Sequence, residues 1–245
     1  MTELQMIRNP VFCAIDNPDL AAAQQLAIDL SGSVGGIKLG KEFFAAHGPA
    51  GVHQVAASAG TPIFLDLKFH DIPNTVAGAV RSACKMTPYM MTIHASGGPA
   101  MIRAAADAAI DATTATNARP LIIAVTVLTS LDISDLNAVG IAATPSDQAR
   151  RLAALAQQNG ADGIVCSPHE IEILRQDLGP DFALVVPGIR PAGSVADDQK
   201  RIMTPEQAVQ LGATYLVIGR PITMAPDPAA AASAIADSLT NLVNA

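Results

Sequence analysis

Short β-branched apolar runs alternate with segments of helical spacing along the whole chain, and this rhythm is its strongest structural signal. The runs are Val11 to Asp16, Gly36 to Leu39, Ile63 to Lys68, Met90 to His94, Leu121 to Leu128, Gly163 to Cys166, Ala183 to Pro187 and Tyr215 to Ile218. They are nearly continuous apolar stretches instead of half-polar alternations, as expected of strands covered on both faces in a parallel sheet. Parallel neighbours need crossovers, so a helix is expected between successive strands.

Several helix starts carry a proline after an Asn, Ser or Thr cap. Asn17-Pro18 predicts a helix over Asp19 to Leu30, and Thr144-Pro145 one over Ser146 to Gln158. Ser167-Pro168 with Glu170, and Thr204-Pro205 with Gln207, have the spacing of capping boxes. Gly160, Gly179 and Gly212 fall where helices should stop. Eight strands alternating with helices over 245 residues predict a (β/α)8 TIM barrel, and no composition shift marks a linker, so residues 1–245 are expected to form one domain. An open doubly wound sheet is the alternative, but no GxGxxG follows the first strand.

Composition then raises one question and settles two others. Half of the residues are hydrophobic, only 15% are charged and 3% aromatic, and mean hydropathy is +0.32. No run approaches the roughly 20 apolar residues of a membrane span, because each ends in Asp, Lys, Gly or Pro. Alanine-rich helices account for the apolar excess. Met1 to Pro10 carries Glu3 and Arg8 and lacks the apolar core of an export signal, so a cytoplasmic location is expected. With 15 basic against 22 acidic residues and a net charge of -7, neither nucleic acid nor an anionic membrane is an expected partner. Cys13, Cys84 and Cys166 are scattered without metal-ligand spacing and read as reduced core thiols.

In a barrel of this kind chemistry gathers at the carboxyl ends of the strands. There the sequence places Asp16, Lys38, Asp66 with Lys68, His94, Thr129 with Ser130, the run Pro187-Gly188-Ile189-Arg190, and Gly219-Arg220. Asp66 and Lys68 are two apart on one strand, so both should leave the same face, with Cα atoms roughly 6 to 7 Å apart. Spacing alone leaves open whether they are an ion pair closing the barrel end or part of a larger charged array that includes Lys38. The loops after strands seven and eight are where such barrels hold a phosphate, which Arg220 would grip in bidentate fashion. Between Gly188 and Met203 a long stretch rich in Gly, Pro and polar residues, containing Arg190 and Gln199, reads as a lid or as a disordered surface excursion.

The run Phe64-Leu65-Asp66-Leu67-Lys68-Phe69-His70-Asp71-Ile72-Pro73-Asn74-Thr75-Val76 resembles the signature of the orotidine 5'-phosphate decarboxylases. Similar blocks follow in order almost end to end, among them Ala14-Ile15-Asp16, Ile37-Lys38-Leu39-Gly40, His94-Ala95-Ser96-Gly97-Gly98, Pro187-Gly188-Ile189-Arg190-Pro191 and Val217-Ile218-Gly219-Arg220-Pro221. The resemblance implies conversion of orotidine 5'-phosphate to UMP and CO2 without cofactor or metal. It implies a catalytic array of Lys38, Asp66, Lys68 and Asp71, with Lys68 as proton donor and Asp71 reaching the partner's site in a homodimer. It places Asp16 and Thr75 at the ribose, Thr129 at the pyrimidine edge, and Arg190, Gln199, Gly219 and Arg220 at the phosphate, with Ile72 and Pro187 as further substrate contacts. His94 stays open between a structural and a substrate-side role, and His70 reads as structural or as part of a dimer interface. Two other readings remain: a Mg2+-dependent phosphosugar decarboxylase or synthase of the same superfamily, and a catalytically silent nucleotide-binding barrel.

Overall fold

A computed structural model describes residues 9–114, 118–191 and 203–243. In chain order the elements are β1 (Val11–Ile15), α1 (Leu20–Asp29), β2 (Gly36–Gly40), α2 (Lys41–Ala59), β3 (Ile63–Phe69), α3 (Pro73–Cys84), β4 (Met90–His94), α4 (Pro99–Asp111) and β5 (Leu121–Val125). There follow α5 (Ile133–Ala138), α6 (Pro145–Gln158), β6 (Gly163–Val165), α7 (Ile171–Leu178), β7 (Ala183–Pro187), α8 (Pro205–Gln210), β8 (Tyr215–Ile218), α9 (Arg220–Thr223) and α10 (Pro228–Val243). All neighbouring strands pair in parallel, and β8 returns to β1, so the sheet closes as the expected (β/α)8 barrel.

The apolar strands serve two cores because alternate residues face opposite ways. Val11, Cys13 and Ile15 of β1 point outward and join the layer between barrel and helices. Phe12 and Ala14 point inward with Phe64, Met90, Ile123, Val185, Tyr215 and Val217 and fill the barrel's interior. The interior floor is aromatic: Phe12 stacks on Tyr89 and meets Tyr215 edge-on, while the Tyr89 and Tyr215 hydroxyls share a 2.6 Å hydrogen bond. Tyr215 is buried and Tyr89 half-buried, and the bond pairs their polar tips within the apolar interior. The three cysteines are buried and none forms a disulfide, and burial pushes the Cys13 thiol up to about 12.

Local signals mostly act where expected. Thr144 caps α6, accepting from the Asp147 amide, and Thr204 with Gln207 closes a capping box on α8. Ser167 and Glu170 form theirs on a 3-10 turn, Pro168–Glu170, that leads into α7. Gly160, Gly179 and Gly212 all take positive φ just past helix ends.

Several strand and helix ends shift by one residue, as at Ile15, Gly40, Phe69 and Val165, and two differences have a visible local cause. The cap of α1 is Asp19, whose carboxylate accepts from the Ala22 amide; Asn17 instead accepts from the Asp19 amide, bracing the turn that Pro18 occupies. The fifth strand stops at Val125 instead of Leu128, because its last partners, His94 and Val165, are the final residues of β4 and β6; the Thr126 amide makes the last rung to the Val165 carbonyl, to which its hydroxyl also donates. No helix among the described residues is long and apolar enough to cross a membrane.

Candidate active site

Parallel register brings the first three strands' charges to one level. Lys38 pairs in register with Ala14 and Phe64, and Gly40 with Asp66, so inward-facing positions of β2 and β3 alternate up the same wall. The result is a row of alternating charge. Lys38 Nζ lies 3.4 Å from Asp16 Oδ1 and 3.6 Å from Asp66 Oδ2, and Lys68 Nζ donates to both Asp66 oxygens at 2.8 Å. Lys38 is 8% exposed, which is tolerable for a cation only because carboxylates flank it. Burial pushes the Asp66 carboxyl up, yet Lys38, Lys68 and hydrogen bonds from Lys68 and Thr92 outweigh it and hold the group below its ordinary value. Asp66 and Lys68 therefore belong to an array of four groups and not to an isolated ion pair.

The row is possible because β2 carries no side chain at Gly40. A Cβ there would lie 2.9 Å from Asp16 Oδ1 and 3.4 Å from Lys38 Nζ. The φ of Gly40 is -95°, open to any residue, so the glycine is required for space and not for conformation.

Asp16, Lys38, Asp66 and Lys68 form one wall of a cavity of about 400 Å³ at the carboxyl ends of the strands. Thr129, Pro187, Arg190, Gly219 and Arg220 line it too, so nine of the residues singled out from the sequence meet at a single opening. The remaining wall is apolar, made of Val125, Val127, Val165, Val185 and Val217. Individually these valines read as ordinary strand residues; their shared orientation follows only from closure of the barrel. Arg190 is largely buried, and the ends of its loop meet: Ile189 bridges Met203, and the Arg190 amide donates to the Met203 carbonyl. Gln199 and most of the anticipated lid lie outside the described residues.

Three expected substrate contacts do not line this cavity. Asp71, Ile72 and Thr75 sit in an exposed stretch after β3, with Ile72 67% exposed and the Asp71 carboxylate accepting from the Ile72 amide at 2.6 Å. His94 also stands off the cavity wall, its ring 5.4 Å from that of His70. Partial burial, with nearby His70, Lys41 and Lys68, pushes its pKa down to about 4, so it is neutral at physiological pH. Among the described residues no cluster of three His, Cys, Asp or Glu side chains has the arrangement of a metal site. A broader groove of about 650 Å³ runs outside the barrel over α6 and α7, where Arg150 is bound to Asp177, and none of the strand-end residues borders it.

Thr92, inside β4, was not anticipated. Its hydroxyl donates to Asp66 Oδ1 at 2.9 Å and accepts from the Lys68 amide at 2.8 Å.

Several known proteins resemble this chain over nearly its whole length. A protein of Rhodospirillum rubrum named orotidine 5'-phosphate decarboxylase is 54% identical over 240 residues, covering 98% of this chain and 97% of its own. One of the same name from Paramagnetospirillum magneticum is 56% identical over 93% of this chain and 97% of its own. The crystal structure of orotidine 5'-phosphate decarboxylase from Lactobacillus acidophilus superposes with a TM-score of 0.84 at 36% identity, covering 97% of this chain and all of that one. Residues 9–235 match the family described as orotidine 5'-phosphate decarboxylase / HUMPS, and the chain belongs to that family.

Proposed function

We propose that this chain decarboxylates orotidine 5'-phosphate to UMP and CO2, the last step of pyrimidine nucleotide synthesis. The observation that carries the reading is the fixed Asp16, Lys38, Asp66, Lys68 row facing a cavity whose other loops bear Arg190 and Arg220. When the C6 carboxylate leaves as neutral CO2, the electron pair of the broken bond stays on C6 in an orbital that the ring π system does not delocalise. A cation already in place stabilises that charge without reorganisation. The Lys68 ammonium does so and then transfers its proton to C6, completing UMP; the amine regains a proton from solvent.

Asp66 has two parts in this scheme. Its two 2.8 Å contacts fix Lys68 Nζ at one point, and its negative charge opposes a substrate carboxylate beside it. That opposition weakens as the carboxylate becomes CO2, so the transition state is favoured over the bound substrate. The valine wall lowers the local dielectric and strengthens both effects. Arg190, Gly219 and Arg220, with Gln199, take the phosphate, Asp16 and Thr75 the ribose, and Thr129 the pyrimidine edge, with Pro187 and Ile72 completing the contacts. Gly219 presents bare backbone at the N-terminal end of α9, and Arg220 supplies a planar guanidinium. Phosphate binding energy is thereby available to order the charged row around the reacting carbon.

The functional unit in this reading is a homodimer. Asp71, Ile72 and Thr75 are exposed in the single chain and off its own cavity, which suits residues that complete a second copy's site.

The phosphosugar alternative needs Mg2+ beside carboxylates. Here Asp66 already carries two ammonium groups, Lys38 at 3.6 Å and Lys68 at 2.8 Å, which would repel a divalent ion. Purified enzyme stripped with chelator is therefore expected to discharge the ultraviolet absorbance of orotidine 5'-phosphate at its untreated rate. Strict dependence on added Mg2+ would overturn the reading.

Gly40→Ala gives a second expectation. The added Cβ displaces Asp16 and loosens the row, so kcat/KM should fall about tenfold with little change in Tm, since small displacements of aligned groups are costly to rate. Unchanged kcat/KM would show that Asp16 and Lys38 need not meet over Gly40.

A further inference from the structure

Lys68 sits in an irregular piece of strand. Between β3 and β4 the register runs Leu65 with Met91 and then Phe69 with Ile93, so three residues of β3, Asp66 to Lys68, face the single residue Thr92. Lys68 itself has φ +53°, a left-handed conformation that an L-residue with a long side chain adopts only when its surroundings impose it. The bulge removes the Lys68 amide from the ladder. Its partner is instead the Thr92 hydroxyl, fully buried, which accepts that N–H at 2.8 Å and donates its own O–H to Asp66 Oδ1 at 2.9 Å.

We infer that Thr92 is a positioning residue for the decarboxylation: one hydroxyl fixes both the strained backbone of Lys68 and the carboxylate that receives its ammonium. A hydroxyl suits the task because one atom both accepts and donates. Valine fills the same space but offers neither bond, leaving a buried N–H without a partner and Asp66 with one tether fewer. The bulge then relaxes toward regular strand geometry, and the Lys68 side chain moves away from the reacting carbon. Thr92 does not line the cavity, so ground-state binding of nucleotide is insulated from the change.

The inference rests on the decarboxylase reading, and the wild-type rate with orotidine 5'-phosphate separates the two: an inactive wild type refutes the reading, an active one puts Thr92 to the test. In Thr92→Val, kcat is expected to fall about 10- to 100-fold with KM within about threefold, since displacement of reacting groups by about 1 Å costs that much. Thr92→Ser, which keeps the hydroxyl, should retain kcat within about threefold despite losing a buried methyl group and some Tm. Each variant should still bind one UMP per subunit, whereas a merely structural defect would lower the number of sites along with kcat. Should Thr92→Val fail to fold, Thr92→Cys carries the same expectation, because a thiol accepts an amide proton poorly. Wild-type kcat in the valine or cysteine variant, equal impairment of the serine variant, or a kcat loss matched by lost UMP sites would each overturn the assignment.

Discussion

Lys68→Ala is expected to lower kcat by at least about 10⁴-fold, because one side chain supplies both the fixed positive charge and the transferred proton, each worth about 10²-fold or more. That corresponds to about 5.5 kcal/mol of transition-state stabilisation at about 1.36 kcal/mol per factor of ten. UMP should still bind, since it lacks the departing carboxylate and keeps its phosphate and ribose contacts. Folding should survive as well: Asp66 retains Lys38 at 3.6 Å and the Thr92 hydroxyl at 2.9 Å, so its charge is not abandoned. Single-turnover absorbance decay reads the rate and calorimetric titration with UMP reads binding. With no Trp and only two Tyr, both on the barrel floor, intrinsic fluorescence follows the fold independently of the site. Turnover within tenfold of wild type would remove Lys68 as proton donor.

How much of this was legible in the sequence depended on whether a signal was local or created by pairing. The eight apolar runs are local, and so were the strands. The shared face of Asp66 and Lys68 follows from a period of two, but the geometry that realises it does not: the bulge appears only when β3 is laid against β4, and the positive φ of Lys68 leaves no mark in Asp66-Leu67-Lys68. Thr92 was invisible for the same reason, a β-former among β-formers in Met90–His94. The end of the fifth strand depends on where its neighbours β4 and β6 stop, which an apolar run through Leu128 cannot reveal. At α1 two caps competed, and Asp19 prevailed because the turn employs Asn17 one step earlier.

Mixing two dead enzymes should restore activity, and this tests the part of the proposal furthest from a single chain. Lys68→Ala lacks the proton donor but offers an intact Asp71, and Asp71→Ala has the opposite defect. If each site combines Lys68 of one subunit with Asp71 of the other, a heterodimer of the two has one site with both defects and one with neither. Random exchange makes half of the dimers mixed, so about a quarter of all sites, and about a quarter of wild-type activity, should reappear. The exposure of Asp71, with the 67% exposed Ile72 beside it, is what makes the contribution in trans geometrically natural. If sites were instead complete within one subunit, every subunit in the mixture would still carry its own defect, and activity would stay at the sum of the parents. Exchange verified by mass spectrometry of differently tagged subunits, without recovery, would therefore place Asp71 outside the shared site and leave Asp16, Lys38, Asp66 and Lys68 to act within one chain.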